Sequence, residues 1–444
     1  MTADHLRPIL LVSYDFAPEL AGVRRIAGFM RYLPEFGYQP TLLTTTPFCA
    51  TGWDAGPLRE ARRLGVEIIR VPSPDPFHRA HRLHLSEDEI LAREQGRFSA
   101  PARQRPVWMR ALAGLARRWL FMPDDRAAWA PCAARAAAAW LKQHPGAWVL
   151  TTSFPHSCHL VGLELRRLLG SDLRWVADFR DGWTQNADFF QPPTPWHAAR
   201  HRALEAEVAS RCDLLVSVSP PITAHLQRVG RRSTESTLTI LNGFDPEETD
   251  RARASAALAR PTAAGIRRLV YTGTLFGGRR AAPLFEALRA LRAVDPDLAA
   301  TVKLDLWSRL RHEDVAAMQA LEVADMVEER GMAAHTQALV AQMQADALVL
   351  YVEPGPRAGI MVTQKLFEYA ASRRPIVAAV PSGACADLLR ELPQAIVAPA
   401  DCPETIARAM VQALRSPVPG EVPSHWSRCQ QAGQLARACD AASR

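Results

Sequence analysis

Short apolar runs alternate along this chain with stretches of helical period. The runs at 8–14 (PILLVSY), 41–45, 66–71, 147–153, 173–178, 213–218 and 237–241 have the length and continuity of buried strands. Between them apolar residues recur at helical spacing, as at Ile26, Phe29, Met30 and Leu33, and helices are predicted over 126–143, from His156, over 195–210 and after Ser219. The alternation stops in the Ala/Arg-rich stretch 249–265. It resumes with RRLVYTG (267–273), a helix over 281–293, TVKLDLW (301–307), a helix over 335–344, the segment 346–380 and AIVAP (395–399). Strand and helix in this order predict an α/β protein with two parallel, doubly wound Rossmann-like sheets. The expected division is 1–248 for the first domain, 249–265 for a linker, 266–420 for the second domain and 421–444 for a helical tail. An insertion at about 72–106 is expected to be loop with small helical excursions.

The segment 346–380, DALVLYVEPGPRAGIMVTQKLFEYAASRRPIVAAV, reads as strand, loop, helix, strand. Two short apolar strands joined by a helix are parallel neighbours with a right-handed crossover. The loop with Gly359 and the first helical turn after Thr363 then lie at the carboxyl edge of the sheet, where free N–H groups and the helix dipole favour an anion such as a phosphate. Leu366, Phe367, Ala370 and Ala371 supply the buried stripe, and Lys365 and Glu368 share another face. Glu368 is an acceptor-only carboxylate that suits the paired hydroxyls of a ribose. The same spacing suits a solvated ion pair.

Composition changes this picture little. The chain has 444 residues, 48% of them hydrophobic, enough for two cores. Lys plus Arg outnumber Asp plus Glu by 53 to 46, a net +7 carried almost wholly by Arg. That balance suits a phosphate-bearing ligand or an anionic surface; the absence of aromatic-flanked basic motifs argues against nucleic acid. Eight Cys without a C-x-x-C pair indicate a reducing compartment, and no run approaches the length of a membrane span, so a cytoplasmic protein is expected. Trp108, Leu112, Leu115 and Trp119 form one helical stripe, with Arg110, Arg117 and Arg118 off it; this suits either the inner face of the plasma membrane or packing on the protein's own domain. No metal site and no cofactor are expected.

The run TQKLFEYAASRRPIVAA (363–379) resembles the nucleotide-sugar site of GT-B glycosyltransferases, family 4 in particular, which read K-x-x-EY-x-A-x-x-x-P-I-V. The resemblance implies two domains facing across a cleft, a nucleotide-sugar donor with its ribose on Glu368, a glycan or lipid-linked acceptor, and transfer with retention. It also implies a setting in bacterial surface-polysaccharide or glycolipid assembly. The family has a second acidic residue eight positions before the glutamate; here that position is Ile360, which makes a catalytically silent nucleotide-sugar-binding protein the alternative.

Further motifs follow the family's order. FAPELAGVRR resembles its first strand-to-helix loop and puts Gly22 and Arg25 on the acceptor side. TTSFPHSCHLVG carries His156 and His159, with His159 matching the site histidine; His-x-Cys-His lacks a second ligand pair for a metal. WVADFRDGW resembles a DFRDPW signature, its Asp178, Arg180 and Asp181 forming either an acceptor-side network or a structural ion pair. In YTGTLFGGRR the turn at Gly273, Thr274, Gly277 and Gly278 offers backbone amides, and Arg279 or Arg280 is placed to neutralise a departing pyrophosphate. NGFD (242–245) matches the end of the family's first domain and reads as a hinge.

Overall fold

The computed structural model describes residues 6–19, 22–50, 53–92, 114–115, 118–186, 190–258, 265–273, 275, 280–356 and 358–443. They form two compact units, one of Met1–Leu241 with Arg428–Arg444 and one of Asn242–Ser427.

Among the described residues the first unit holds seven parallel strands: β1 (Arg7–Val12), β2 (Tyr38–Thr45), β3 (Glu67–Val71), β4 (Trp148–Ser153), β5 (Arg174–Phe179), β6 (Leu214–Ser217) and β7 (Thr237–Thr239). Their order is β3-β2-β1-β4-β5-β6-β7. Ile9, Leu10, Leu11 and Val12 are all fully buried, because helices cover both faces of the sheet; this is why β1 reads as a continuous apolar run. Helix α1 (Val23–Tyr32) lays Ile26, Phe29 and Met30 on that core, and helix α2 (Cys158–Leu169) follows β4. Each such large apolar side chain removed from water contributes about 1.5–3 kcal/mol.

The chain enters the second unit at Asn242. Asp245 caps helix α3 (Pro246–Leu258) by accepting the Glu248 N–H at 3.1 Å, so the segment read as a linker is helical as far as Leu258. Six parallel strands follow, β8 (Arg267–Thr272), β9 (Val302–Trp307), β10 (Val327–Glu329), β11 (Ala347–Tyr351), β12 (Ile376–Ala379) and β13 (Ala395–Ala398), in the order β10-β9-β8-β11-β12-β13. Helix α4 (His335–Gln344) precedes β11, and helix α5 (Gln364–Ser372) joins it to β12, whose register Leu348 to Ile376 confirms the predicted parallel pair. Edge strand β10 was not anticipated: Val-Glu-Glu carries no apolar run. The final helix, α6 (Arg428–Ala442), returns to the first unit, where Ala432, Leu435, Ala436 and Cys439 join the core under α1.

No helix among the described residues is long and apolar enough to cross a membrane. Of the Trp/Arg stripe, Trp108, Arg110, Leu112 and Arg117 lie outside the described residues, while Leu115 and Trp119 are about half exposed.

Candidate functional site

Each sheet has a switch point, where neighbouring strands send their connections in opposite directions and a crevice opens at the carboxyl ends. In the second unit it lies between β8 and β11.

There Gly273, the residue after β8, takes φ +118°, a conformation that favours glycine, and a Cβ on it would stand 2.8 Å from Lys365 Cε. The Lys365 ammonium thus covers the strand end, donating to the Tyr271 hydroxyl at 2.8 Å and standing 4.1 Å from that ring's centre. One turn along α5, Glu368 Oε1 is 3.1 Å from His335 Nε2 and 3.4 Å from Gln364 Nε2. The Glu368 side chain keeps 12% of its surface, so it is ordered yet reachable. His335, the first residue of α4, turns its Nδ1 toward Glu248 Oε2 at 3.6 Å.

The helix itself is fastened on three sides. The buried Tyr369 hydroxyl accepts the Thr272 N–H at 2.9 Å, Gln364 donates to the Gly243 carbonyl at 2.7 Å, and Arg253 donates to the Ala371 carbonyl at 3.1 Å. Burial pushes the Tyr369 phenol up, keeping it neutral. Thr363 occupies the N-cap position without a side-chain hydrogen bond, and its carbonyl accepts the Leu366 N–H at 3.2 Å. Gly359 is exposed in the preceding loop and Arg280 is exposed before helix Ala282–Val294, whereas Thr274 and Arg279 lie outside the described residues. Lys365, Glu368, Gly273 and Thr363 therefore belong to one strand-end region, and Gly359 lies in the loop that leads into α5. Tyr271, His335, Gln364 and Tyr369 were missed; of these only Tyr369 carried a signal, as the aromatic beside Glu368.

In the first unit the expected residues divide. Arg25 forms a two-pronged pair with Asp178, Nη2 to Oδ1 at 2.8 Å and Nε to Oδ2 at 3.0 Å, and donates to the Leu241 carbonyl at 2.9 Å. Thr152 adds a hydrogen bond to Asp178 at 2.7 Å, and the pair is 7% and 0% exposed. Asp178 thus pairs with Arg25, 153 positions away, and not with Arg180 of its own motif. Arg180 donates to the carbonyls of Ser153 at 2.7 Å, of Phe154 at 2.6 Å and of Gly22, which takes φ +74° and lies so close that a Cβ would meet the guanidinium at 2.6 Å. Asp181 is half-buried.

His159 has no exposed surface: its Nδ1 shares a hydrogen bond with Thr151 Oγ1 at 2.9 Å, its ring lies 4.3 Å from that of Phe179, and burial lowers its pKa to about 3. Helix α2 begins at Cys158, which turns His159 inward onto β5, so its position is that of a core histidine rather than the catalytic one expected. His156 stacks on Trp183 at 4.8 Å and is held neutral, its pKa lowered by burial and by the neighbouring His159, His201 and Arg180. Cys158 accepts the Tyr14 N–H at 3.3 Å, and no group of three metal-binding side chains occurs among the described residues.

No protein-family model and no curated protein matches the chain. Solved structures do. An α,α-trehalose-phosphate synthase (UDP-forming) from Burkholderia vietnamiensis is 13% identical with a TM-score of 0.60, over 98% of this chain and 95% of that one. HepE from Anabaena, solved with UDP and glucose, is 13% identical with a TM-score of 0.56, over 98% and 100%. Sucrose-phosphate synthase from Thermosynechococcus elongatus is 17% identical with a TM-score of 0.54, over 98% and 94%. The likeness is one of fold: two doubly wound α/β units in one chain, the GT-B architecture.

Proposed function

We propose that this protein is a glycosyltransferase that moves a sugar from a nucleotide-sugar donor to an acceptor hydroxyl. The observation that carries the reading is the switch point of the second unit, where a lysine ammonium over a glycine strand end and an accessible, oriented glutamate stand one helical turn apart. Phosphate needs cations and N–H donors, which Lys365, Arg280 and the start of α5 supply; ribose needs a fixed acceptor, which Glu368 supplies. Catalysis then comes from holding the donor and from stabilising the departing nucleoside diphosphate by these cations. Two neighbours of the same fold were solved with UDP and glucose or with UDP-2-fluoro glucose, which makes UDP the first nucleotide to test. A glycan or lipid-linked acceptor in bacterial surface-polysaccharide assembly, at the inner face of the plasma membrane, completes the reading; exposed Trp119, Leu120 and Trp196 suit that surface. Ile360 supports the silent-binder alternative.

Calorimetric titration with UDP, GDP and ADP tests the site. Glu368→Ala should weaken the preferred nucleotide about 10- to 100-fold, the worth of a hydrogen bond to a charged group, with the thermal midpoint of the free protein little changed. Equal affinity in the variant sinks the assignment, and tight binding without turnover of any matching nucleotide sugar favours the silent binder.

A further inference from the structure

We propose that His335 is the positioning residue that makes Glu368 a reader of the ribose 2′-hydroxyl, so that the site takes ribonucleotides in preference to their 2′-deoxy forms. This rests on the nucleotide-sugar reading of the same strand-end region and lies wholly within the second unit.

His335 is the first residue of α4, a position where helices favour proline or an acidic side chain. Helix formation does not call for a histidine there. The start of α4 is already secured by Gln337, whose Oε1 accepts the Ala334 N–H at 3.3 Å. Nor is the ring placed to satisfy its own polar atoms. Its Nδ1 is buried without a hydrogen-bond partner, and Glu248 Oε2 at 3.6 Å is too far to serve as one. What the ring does reach is Glu368 Oε1, at 3.1 Å from Nε2. An ionised carboxylate oxygen only accepts, so Nε2 carries the hydrogen and donates it. A buried ring nitrogen without a partner is unfavourable, and the bond to Glu368 is what offsets it.

The histidine stands on a rigid mount. Farther along α4, Gln342 donates to Thr272 Oγ1 at 2.9 Å, and the Thr272 N–H goes to the Tyr369 hydroxyl, so α4, the end of β8 and α5 are tied at one point. Leu339 and Met343 of α4 pack on Ala252 of α3. Gln364, held by the Gly243 carbonyl at 2.7 Å, brings its Nε2 to 3.4 Å from the same Glu368 oxygen. Two N–H groups on Oε1 fix the plane of a carboxylate whose long side chain would otherwise lose rotamer freedom when a ligand binds. A carboxylate held in one plane can take both hydroxyls of a ribose at once. A 2′-deoxyribose returns only one of those two bonds, and the difference is what the site reads.

The test is calorimetric titration with matched pairs: UDP and 2′-deoxy-UDP, GDP and 2′-deoxy-GDP, ADP and 2′-deoxy-ADP. The readout is the affinity ratio, ribo over deoxy, for the base that binds. Wild type should show a ratio of about 10 or more, the worth of a hydroxyl bonded to a charged acceptor. His335→Leu, which fills the space without a donor, should bring the ratio below about 3. His335→Gln, whose amide Nε2 can donate to Glu368 from a similar place, should keep it within about twofold of wild type. A merely structural histidine would weaken both members of a pair alike and leave the ratio unmoved. Glu368→Ala should also abolish the ratio, and adding His335→Leu to it should change the ratio no further. The His335 side chain keeps 18% of its surface, so the apolar replacement is tolerable there, and His335→Ala takes its place if the leucine variant is unstable. A wild-type ratio below about 3 overturns the proposal without any variant, as does a ratio that survives His335→Leu or is lost equally in His335→Gln. Failure of all six nucleotides to bind overturns the nucleotide-sugar reading and this inference with it, whereas discrimination that ignores His335 overturns the inference alone.

Discussion

Asp178→Ala is expected to cost about 3–5 kcal/mol of folding stability, the penalty for stripping one partner from a buried ion pair. The residue is fully buried and holds Arg25, itself 7% exposed, by three hydrogen bonds. Without the carboxylate the guanidinium keeps only the Leu241 carbonyl in a place water does not reach. The loss should appear as a lower urea midpoint at unchanged slope. Replacing both partners, Arg25→Met with Asp178→Leu, should recover much of it, because the desolvation cost vanishes with the charges. A single variant as stable as wild type, with only its activity impaired, would return Asp178 to the acceptor side where the sequence reading had also allowed it.

That pair shows where sequence stops being informative. The strands were legible because sheets covered on both faces demand continuous apolar runs, and helix 335–344 was placed from its pattern alone. The segment containing Glu368 was legible for the same reason, together with a motif. Which charges meet was not. Asp178 pairs with a residue 153 positions away, and Glu368 with one 33 positions away, and spacing along a chain carries no record of either. Helix Pro246–Leu258 was lost because its Ala/Arg composition has weak amphipathicity; its start signal, Asp245 at the N-cap, was present but read as part of a hinge. His159 was misplaced because a motif gives a residue's position in sequence, whereas the start of helix α2 at Cys158 decides the face on which it falls.

Gly383→Ala should weaken nucleotide binding at least tenfold and lower stability by about 1–3 kcal/mol, the usual cost of a strained backbone position. Gly383 opens helix Ala384–Arg390 at φ +136°, where an L side chain is disfavoured. A Cβ there would lie 2.4 Å from Gly359 Cα and 2.6 Å from its carbonyl oxygen, which already accepts the Ala384 N–H at 3.0 Å. The obstacle is backbone, which cannot rotate aside as a side chain would. The methyl must therefore push the 354–363 loop away, and that loop leads directly into the first turn of α5 with Lys365 and Glu368. Displacing the turn moves the N–H groups at the helix start, the ammonium and the carboxylate together, so calorimetry should show the affinity lost as a unit. Gly355→Ala is the control. It lies in the same loop with nothing within 4 Å of its added Cβ and no left-handed backbone to strain, so it should bind as wild type. If Gly383→Ala also binds as wild type, the loop does not position the nucleotide and the anion site at the start of α5 is refuted.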